Sequence, residues 1–185
     1  MDPRWLLARL EAFVPATPEE ALFRRQMLEF VASEPRFHDR NLETGHVTGS
    51  AWIVDPERQH ALLVHHRKLN RWLQPGGHIE NDTTVLDTAL REAREESGLE
   101  DLTPLDEAVF DLDIHPIPAR GGEPAHLHYD VRFLLQAEAH VPTVSDESHD
   151  MRWFSMEEIL ALGEGPSIER MVRKVQYKAR SPRRC

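Results

Sequence analysis

Gly76-Gly77-His78-Ile79-Glu80-Asn81-Asp82-Thr83 leads into Thr84-Val85-Leu86-Asp87-Thr88-Ala89-Leu90-Arg91-Glu92-Ala93-Arg94-Glu95-Glu96-Ser97-Gly98-Leu99. The second part reads as a helix from Thr84 to about Ser97, stopped by Gly98 with Leu99 just beyond, the arrangement of a glycine C-cap. On a helix Glu92 and Glu95 (i, i+3) and Glu92 and Glu96 (i, i+4) are neighbours on one face, with Cβ atoms roughly 5–6 Å apart. Left alone, such like-charge pairs destabilise a helix by roughly 0.2–0.5 kcal/mol each. A hard divalent cation reverses that sign, because Mg²⁺ takes oxygen ligands in an octahedron and is commonly held by one or two carboxylates plus substrate phosphates. Gly76 and Gly77 allow a sharp turn and bring main-chain groups close to a metal or a phosphate. Arg91 and Arg94 hold carboxylates in place through charged hydrogen bonds. A solvated, glutamate-rich helix after a glycine turn is the competing reading for the carboxylates alone. Six specified positions matching at about 7% each give roughly one chance in ten million per window, so coincidence explains the full spacing poorly.

These residues resemble the Nudix box, a glycine-loop-helix signature written GX5EX7REUXEEXGU, where U is aliphatic. Gly77 takes its first position, and Arg91 through Leu99 fill its second half, with Ala93 as a small member of the aliphatic class. Thr83 stands where the box has its first glutamate, so Glu80 or Asp82 is the candidate substitute. The resemblance implies an α/β fold, an α/β/α sandwich around a mixed sheet, with an N-terminal helical extension. It also implies Mg²⁺, with Mn²⁺ as a substitute, held by Gly76, Glu92, Glu95 and Glu96. Arg91 and Glu96 are then expected to be catalytic, and the activity implied is cleavage of a diphosphate linkage in a small nucleotide-like substrate.

Outward from the box, Asp2-Pro3 and Thr17-Pro18 are N-cap and first-turn pairs for two helices, to Val14 and about Ser33. From Gly45 the pattern changes to strands, His46–Asp55 and His60–His66, with a turn at 68–70 leading into Trp72–Gln74. Beyond the box, Ala108–Ile114 and Leu127–Leu135 flank a loop at Pro116–Pro124 whose prolines and glycines continue neither element. Arg152–Phe154 is a short strand. Ser155 with Glu158 is a capping-box signature for a helix Met156–Leu162. Gly163–Gly165 breaks the chain before a last helix, Ser167–Arg180, and a basic tail. The expected organisation is an extension at 1–38, the main domain at 39–165, and a C-terminal helix and tail at 166–185. The outer helices are expected to cap the pocket or form a homodimer contact, with simple packing as the rival reading.

Bulk properties bound the rest. The chain has 185 residues, 40% of them hydrophobic and 29% charged, enough for one folded domain with a real core. No run of about 18 apolar residues marks a membrane span, and Arg4, Arg9 and Glu11 interrupt the opening stretch unlike a signal peptide. The net charge of −10 makes nucleic acid an unlikely partner, and a small phosphorylated substrate would need a cation as mediator. The single cysteine, Cys185, offers no disulfide framework, which fits a reducing cytoplasm. Its terminal place also disfavours an isoprenoid diphosphate isomerase, which needs a reactive internal cysteine.

Several further residues are candidates. His126, His128, Asp130 and Arg132 alternate with Leu127, Tyr129, Val131 and Phe133, so a strand here has one polar, ionisable face. His126, His128 and Arg132 are expected to bind substrate, together with His78 from the glycine loop. A solvated outer face is the rival reading, and a His-x-His pair joined by His115 also suits a transition metal. Trp72 either stacks on a base or packs beneath the loop. The cluster Arg170, Arg173, Lys174, Lys178, Arg180, Arg183 and Arg184 either attracts RNA or is a solvated helix end. Glu147, in the acidic loop before Trp153, is expected to act as the general base, with Asp146, Asp150 and Glu96 as rivals. The competing function is a Nudix-like nucleotide-binding or regulatory module with impaired turnover, suggested by Thr83.

Overall fold

His46, Thr48 and Ser50 alternate with apolar or small residues in the first strand, β1 (Gly45–Val54), and all ten of its positions are buried. Burial on both faces is what a central strand requires. The computed structural model describes residues 1–67, 69–120, 122, 124–140, 142 and 148–180. These residues fall into two compact units, each built around part of β1 and part of the box helix.

The first unit comprises Met1–Ala51, Gly76–Glu92 and Asp106–Phe133. It opens with α1 (Pro3–Ala12) and α2 (Pro18–Ser33), capped as their sequence signals imply: Asp2 accepts from the Arg4 amide and Thr17 from the Glu20 amide. The strand β4 (Gly76–His78) pairs antiparallel with β1 in the register Thr48↔His78, Gly49↔Gly77, Ser50↔Gly76. This segment was expected as a turn; three residues are too few to show a strand's alternation. The strands β6 (Asp111–Ile117) and β7 (His126–Gln136) pair antiparallel from Asp111↔Arg132 to Ile117↔His126. β6 therefore runs three residues beyond the expected end, through Pro116. An antiparallel ladder draws inter-strand N–H donors only from alternate residues, so a proline can sit where none is needed.

The two faces of β7 have different partners. Its apolar side meets the opening helices: Phe30 of α2 stacks on Tyr129 with ring centroids 4.1 Å apart, and Trp5 of α1 lies 6.2 Å from Phe133. Leu6, Leu10, Met27 and Val31 complete the buried stripe of those helices. The box helix α3 (Val85–Ser97) begins against β1 at Gly49, where a Cβ would lie 2.7 Å from the Val85 carbonyl oxygen. Only glycine lets strand and helix approach this closely.

The second unit comprises Trp52–Pro75, Ala93–Leu105 and the chain from Leu134 onward. Here β2 (His60–His66) pairs antiparallel with the end of β1, with β3 (Arg71–Leu73) and with β8 (Ser148–Ser155), the last with an irregularity at His65/His66. The two-residue β5 (Thr103–Pro104) joins the end of β7. The capping box of α4 (Met156–Leu162) forms as expected, Ser155 and Glu158 each satisfying the other's backbone amide. α5 (Pro166–Arg180) buries Ile168, Met171, Val172 and Val175. Among the described residues no helix is long and apolar enough to cross a membrane.

Candidate active site

β4 runs so close to α3 that a Cβ on Gly77 would fall on the Glu92 carboxylate. The glycine thus makes the cradle in which this carboxylate rests. Arg91 fixes it there: Nη1 donates to Glu92 Oε1 at 2.9 Å, while Nη2 donates to the His78 carbonyl at 2.9 Å and to Asp82 Oδ2 at 3.0 Å. Thr88 Oγ1 donates to the same Asp82 oxygen at 3.0 Å. Burial works against the Asp82 carboxylate, but Arg91 and Thr88 outweigh it and hold the carboxyl below its usual range. Burial likewise opposes the Arg91 charge, and Asp82 and Glu92 overcome it, raising that guanidinium further.

Thr83 is exposed. Asp82, one residue earlier, is partly buried and pairs with Arg91 at 3.0 Å. Glu95, exposed, and Glu96, partly buried, follow Glu92 on the next turn of α3. The donors that Glu92 and the backbone of β4 offer are carboxylate and carbonyl oxygens beside a cradle that a side chain would fill. That set fits Mg²⁺ or Mn²⁺.

A second constellation is made of histidines. His46 from β1, His78 from β4 and His128 from β7 bring one ring nitrogen each to within 4.8 Å of one another. Their ring centroids are 4.8 Å apart for His46–His128, 5.0 Å for His46–His78 and 5.3 Å for His78–His128. His126 lies 5.0 Å from His46, and its Nδ1 is 2.9 Å from the Pro124 carbonyl oxygen. His115 Nδ1 is 3.0 Å from Asp113. His46 is 1% exposed, and neither of its ring nitrogens meets a hydrogen-bond partner; nor does the buried Nε2 of His128. Burial, reinforced by the neighbouring histidines, pushes His46 down to about 4 and His128 to about 2, so both are neutral.

Arg132 differs from its expectation as a residue presented to substrate. It is 3% exposed and clamped by three aspartates: Asp130 Oδ2 at 2.7 Å, Asp111 Oδ2 at 3.0 Å and Asp113 Oδ2 at 3.3 Å. Thr48 and Ser50 donate to Asp130 Oδ1 at 3.0 and 2.7 Å. The polar face of β7 is thus not uniform. Its outer half is imidazole, beside a recess of about 170 Å³ lined by Arg40, Glu43, Pro124 and His126, and its inner half is a buried ion network.

The remaining candidates separate. Trp72 packs, with its ring 4.9 Å from His65 and 4.8 Å from Phe154. Arg173 pairs with Glu169 at 3.0 Å, and Arg170 is buried. Glu147 and Asp146 lie outside the described residues, as do Arg183, Arg184 and Cys185. Asp150 accepts from Arg152 Nε at 2.6 Å, which holds its carboxyl below the usual range.

Sequence reasoning missed His46, Asp111 and Asp113. A signal was present in each case: His46-x-Thr48-x-Ser50 and Asp111-x-Asp113-x-His115 are polar alternations within strands, the same pattern that marked β7.

A mixed α/β fold with a glycine cradle against a glutamate-rich helix defines a class of phosphoanhydride-directed proteins, and the comparisons agree. The NUDIX domain model matches residues 44–175, and the chain belongs to that family. It is 27% identical over 136 residues to a probable DHNTP pyrophosphohydrolase of Lactococcus lactis subsp. cremoris, covering 72% of this chain and 78% of that protein. Its fold resembles the MutT protein from Methanosarcina mazei (TM-score 0.56, 19% identity, 76% and 99% of the two chains). It also resembles the E. coli dihydroneopterin triphosphate pyrophosphohydrolase (TM-score 0.54, 16% identity, 69% and 92%). The fold is the Nudix α/β/α sandwich.

Proposed function

We propose that this chain is a Nudix pyrophosphohydrolase that cleaves a diphosphate linkage in a nucleoside-diphosphate derivative or related phosphorylated metabolite. Gly76, Glu92, Glu95 and Glu96 would hold Mg²⁺, or Mn²⁺ in its place. The observation that carries the reading is the approach of Gly77 to Glu92, which has no structural purpose in a merely solvated acidic helix. When bound, the ion neutralises the diphosphate and acidifies water. Arg91 orients Glu92 and ties the loop to α3. Glu96 or Glu147 takes the proton as the water oxygen bonds to phosphorus, and the bridging P–O bond breaks to release the second phosphoryl product. His126, beside its recess, with His78 and His128 next to it, receives the phosphorylated ligand, while Arg132 stiffens the strand behind them. The rival reading, an impaired binding module, draws on Thr83; the Asp82–Arg91 ion pair supports turnover instead.

The test is a substrate panel assayed with and without Mg²⁺. Dihydroneopterin triphosphate heads it, because two of the similar proteins carry that activity in their names. Sugar nucleotides, dinucleotide cofactors, oxidised nucleoside triphosphates and capped RNA ends complete it. Magnesium-dependent release of phosphate or pyrophosphate products from one class is the expected result. Binding without turnover across the panel would establish the module instead.

A further inference from the structure

Five imidazoles, His46, His78, His115, His126 and His128, converge from β1, β4, β6 and β7. A core histidine that serves packing alone finds a hydrogen-bond partner for at least one ring nitrogen, because a buried polar atom without one costs about 1–3 kcal/mol. His46 is 1% exposed and has no such partner at either nitrogen. His128, whose ring belongs to the same cluster, leaves its buried Nε2 without a partner as well.

We propose that His46, His78 and His128 form a second metal site, chemically distinct from the glutamates of α3. It takes one zinc-class divalent ion through three ring nitrogens and leaves a fourth position to water or a substrate oxygen. Neutral imidazole nitrogens suit zinc and its neighbours, whereas carboxylate and carbonyl oxygens suit magnesium, so the two sites sort their ions by donor type. Three protein ligands with an open fourth position is the pattern of exchangeable zinc sites.

The geometry needs only a local adjustment. Tetrahedral zinc with Zn–N bonds of about 2.0–2.1 Å sets its ligand nitrogens roughly 3.3–3.4 Å apart. The nitrogens here lie within 4.8 Å, and the broad χ2 preference of histidine spans the difference. The ligands come from three strands, and the Thr48↔His78 register fixes β1 against β4. His126, its Nδ1 at the Pro124 carbonyl, borders the cluster with its ring 5.0 Å from His46 and 5.3 Å from His128.

The experiment uses the full chain, stripped with a chelator and titrated with Co²⁺ and then Zn²⁺ under excess Mg²⁺. The readouts are the visible absorption of nitrogen-coordinated Co²⁺, its loss on Zn²⁺ addition, and bound metal by elemental analysis. One zinc per chain is expected in the parent and in Glu95→Gln. In His128→Gln and His78→Asn, zinc affinity should fall at least about 100-fold, the upper end of what losing even an outer partner of a ligand costs. The metal-free melting temperature controls for folding, and if His128→Gln melts early the half-buried His78→Asn decides. Zinc affinity within threefold of the parent in the folded histidine variants would overturn the proposal. So would loss of zinc in Glu95→Gln alone, which would put the ion on α3. None of these readouts requires turnover, so failure here leaves the hydrolysis reading standing, and an inactive substrate panel leaves this one standing.

Discussion

Asp82 stands one residue short of the position where the Nudix signature carries its first carboxylate, yet it takes the Arg91 guanidinium, Nη2 to Oδ2, at 3.0 Å. Asp82→Ala should leave Arg91 tied to the loop by the His78 carbonyl alone and loosen the placing of Glu92 beside Gly77. Misplacement by about 1 Å is enough to lower turnover roughly 100-fold. Thr83→Glu alone should leave kcat within about threefold, but combined with Asp82→Ala it should recover most of the loss. Steady-state kinetics on the four proteins checks this, and no effect of Asp82→Ala would assign the support elsewhere.

The same carboxylate makes a pH prediction. Its folded pKa is lowered below the ordinary value of 3.8, so its stabilising contribution is complete above that value and disappears as pH falls through the folded value. The stability difference between the parent and Asp82→Asn, measured by urea unfolding, should therefore be constant at neutral pH and shrink only in strong acid. A difference that already shrinks near pH 6 would contradict the assignment.

Gly77→Ala places a methyl group on the Glu92 carboxylate. The obstacle is the end of a side chain, which can swing aside, so the fold should survive with a melting temperature close to the parent's. Glu92 then leaves the cradle, and the Mg²⁺ concentration for half-maximal activity should rise by at least about tenfold. Magnesium titrations of both proteins are the measurement.

Glu95→Gln and Glu96→Gln each remove one negative charge from the face of α3 without changing its shape. The fold should stay intact, with a melting temperature close to the parent's. Turnover should fall by orders of magnitude, as it should for the parent in a chelator. Undiminished turnover in either variant would exclude the carboxylates from the chemistry.

Arg132→Met strands Asp111 and Asp130 in the core without their cation. Breaking a buried pair from one side costs about 3–5 kcal/mol. For a chain of this size that is a drop of roughly 6–20 °C in melting temperature. A shift under 2 °C, measured by calorimetry, would mean that the network is dispensable and Arg132 is free for another role.

Local signals carried most of what was legible beforehand. The box, α3, both opening helices and the α4 capping box depend on neighbours within four residues, and their positions follow from spacing and cap chemistry. β4 and β5 were invisible because they hold three and two residues and exist only through pairing with β1 and β7. The alternation around His126 located a polar face correctly, but its division into an imidazole half and an ion-network half depends on Asp111, Asp113 and His46. Those residues arrive from other strands, and no local pattern ties them to β7.

The family match begins at residue 44, after α1 and α2 have ended. Those helices nevertheless cover the apolar face of β7, with Phe30 on Tyr129 and Trp5 by Phe133. A chain trimmed to the matched region would carry a naked aromatic strip on a central strand, the kind of surface that drives self-association. The opening helices are thereby a built-in guard against aggregation. Expression of the trimmed form should yield insoluble protein even though every residue of the glycine cradle and the histidine cluster is retained.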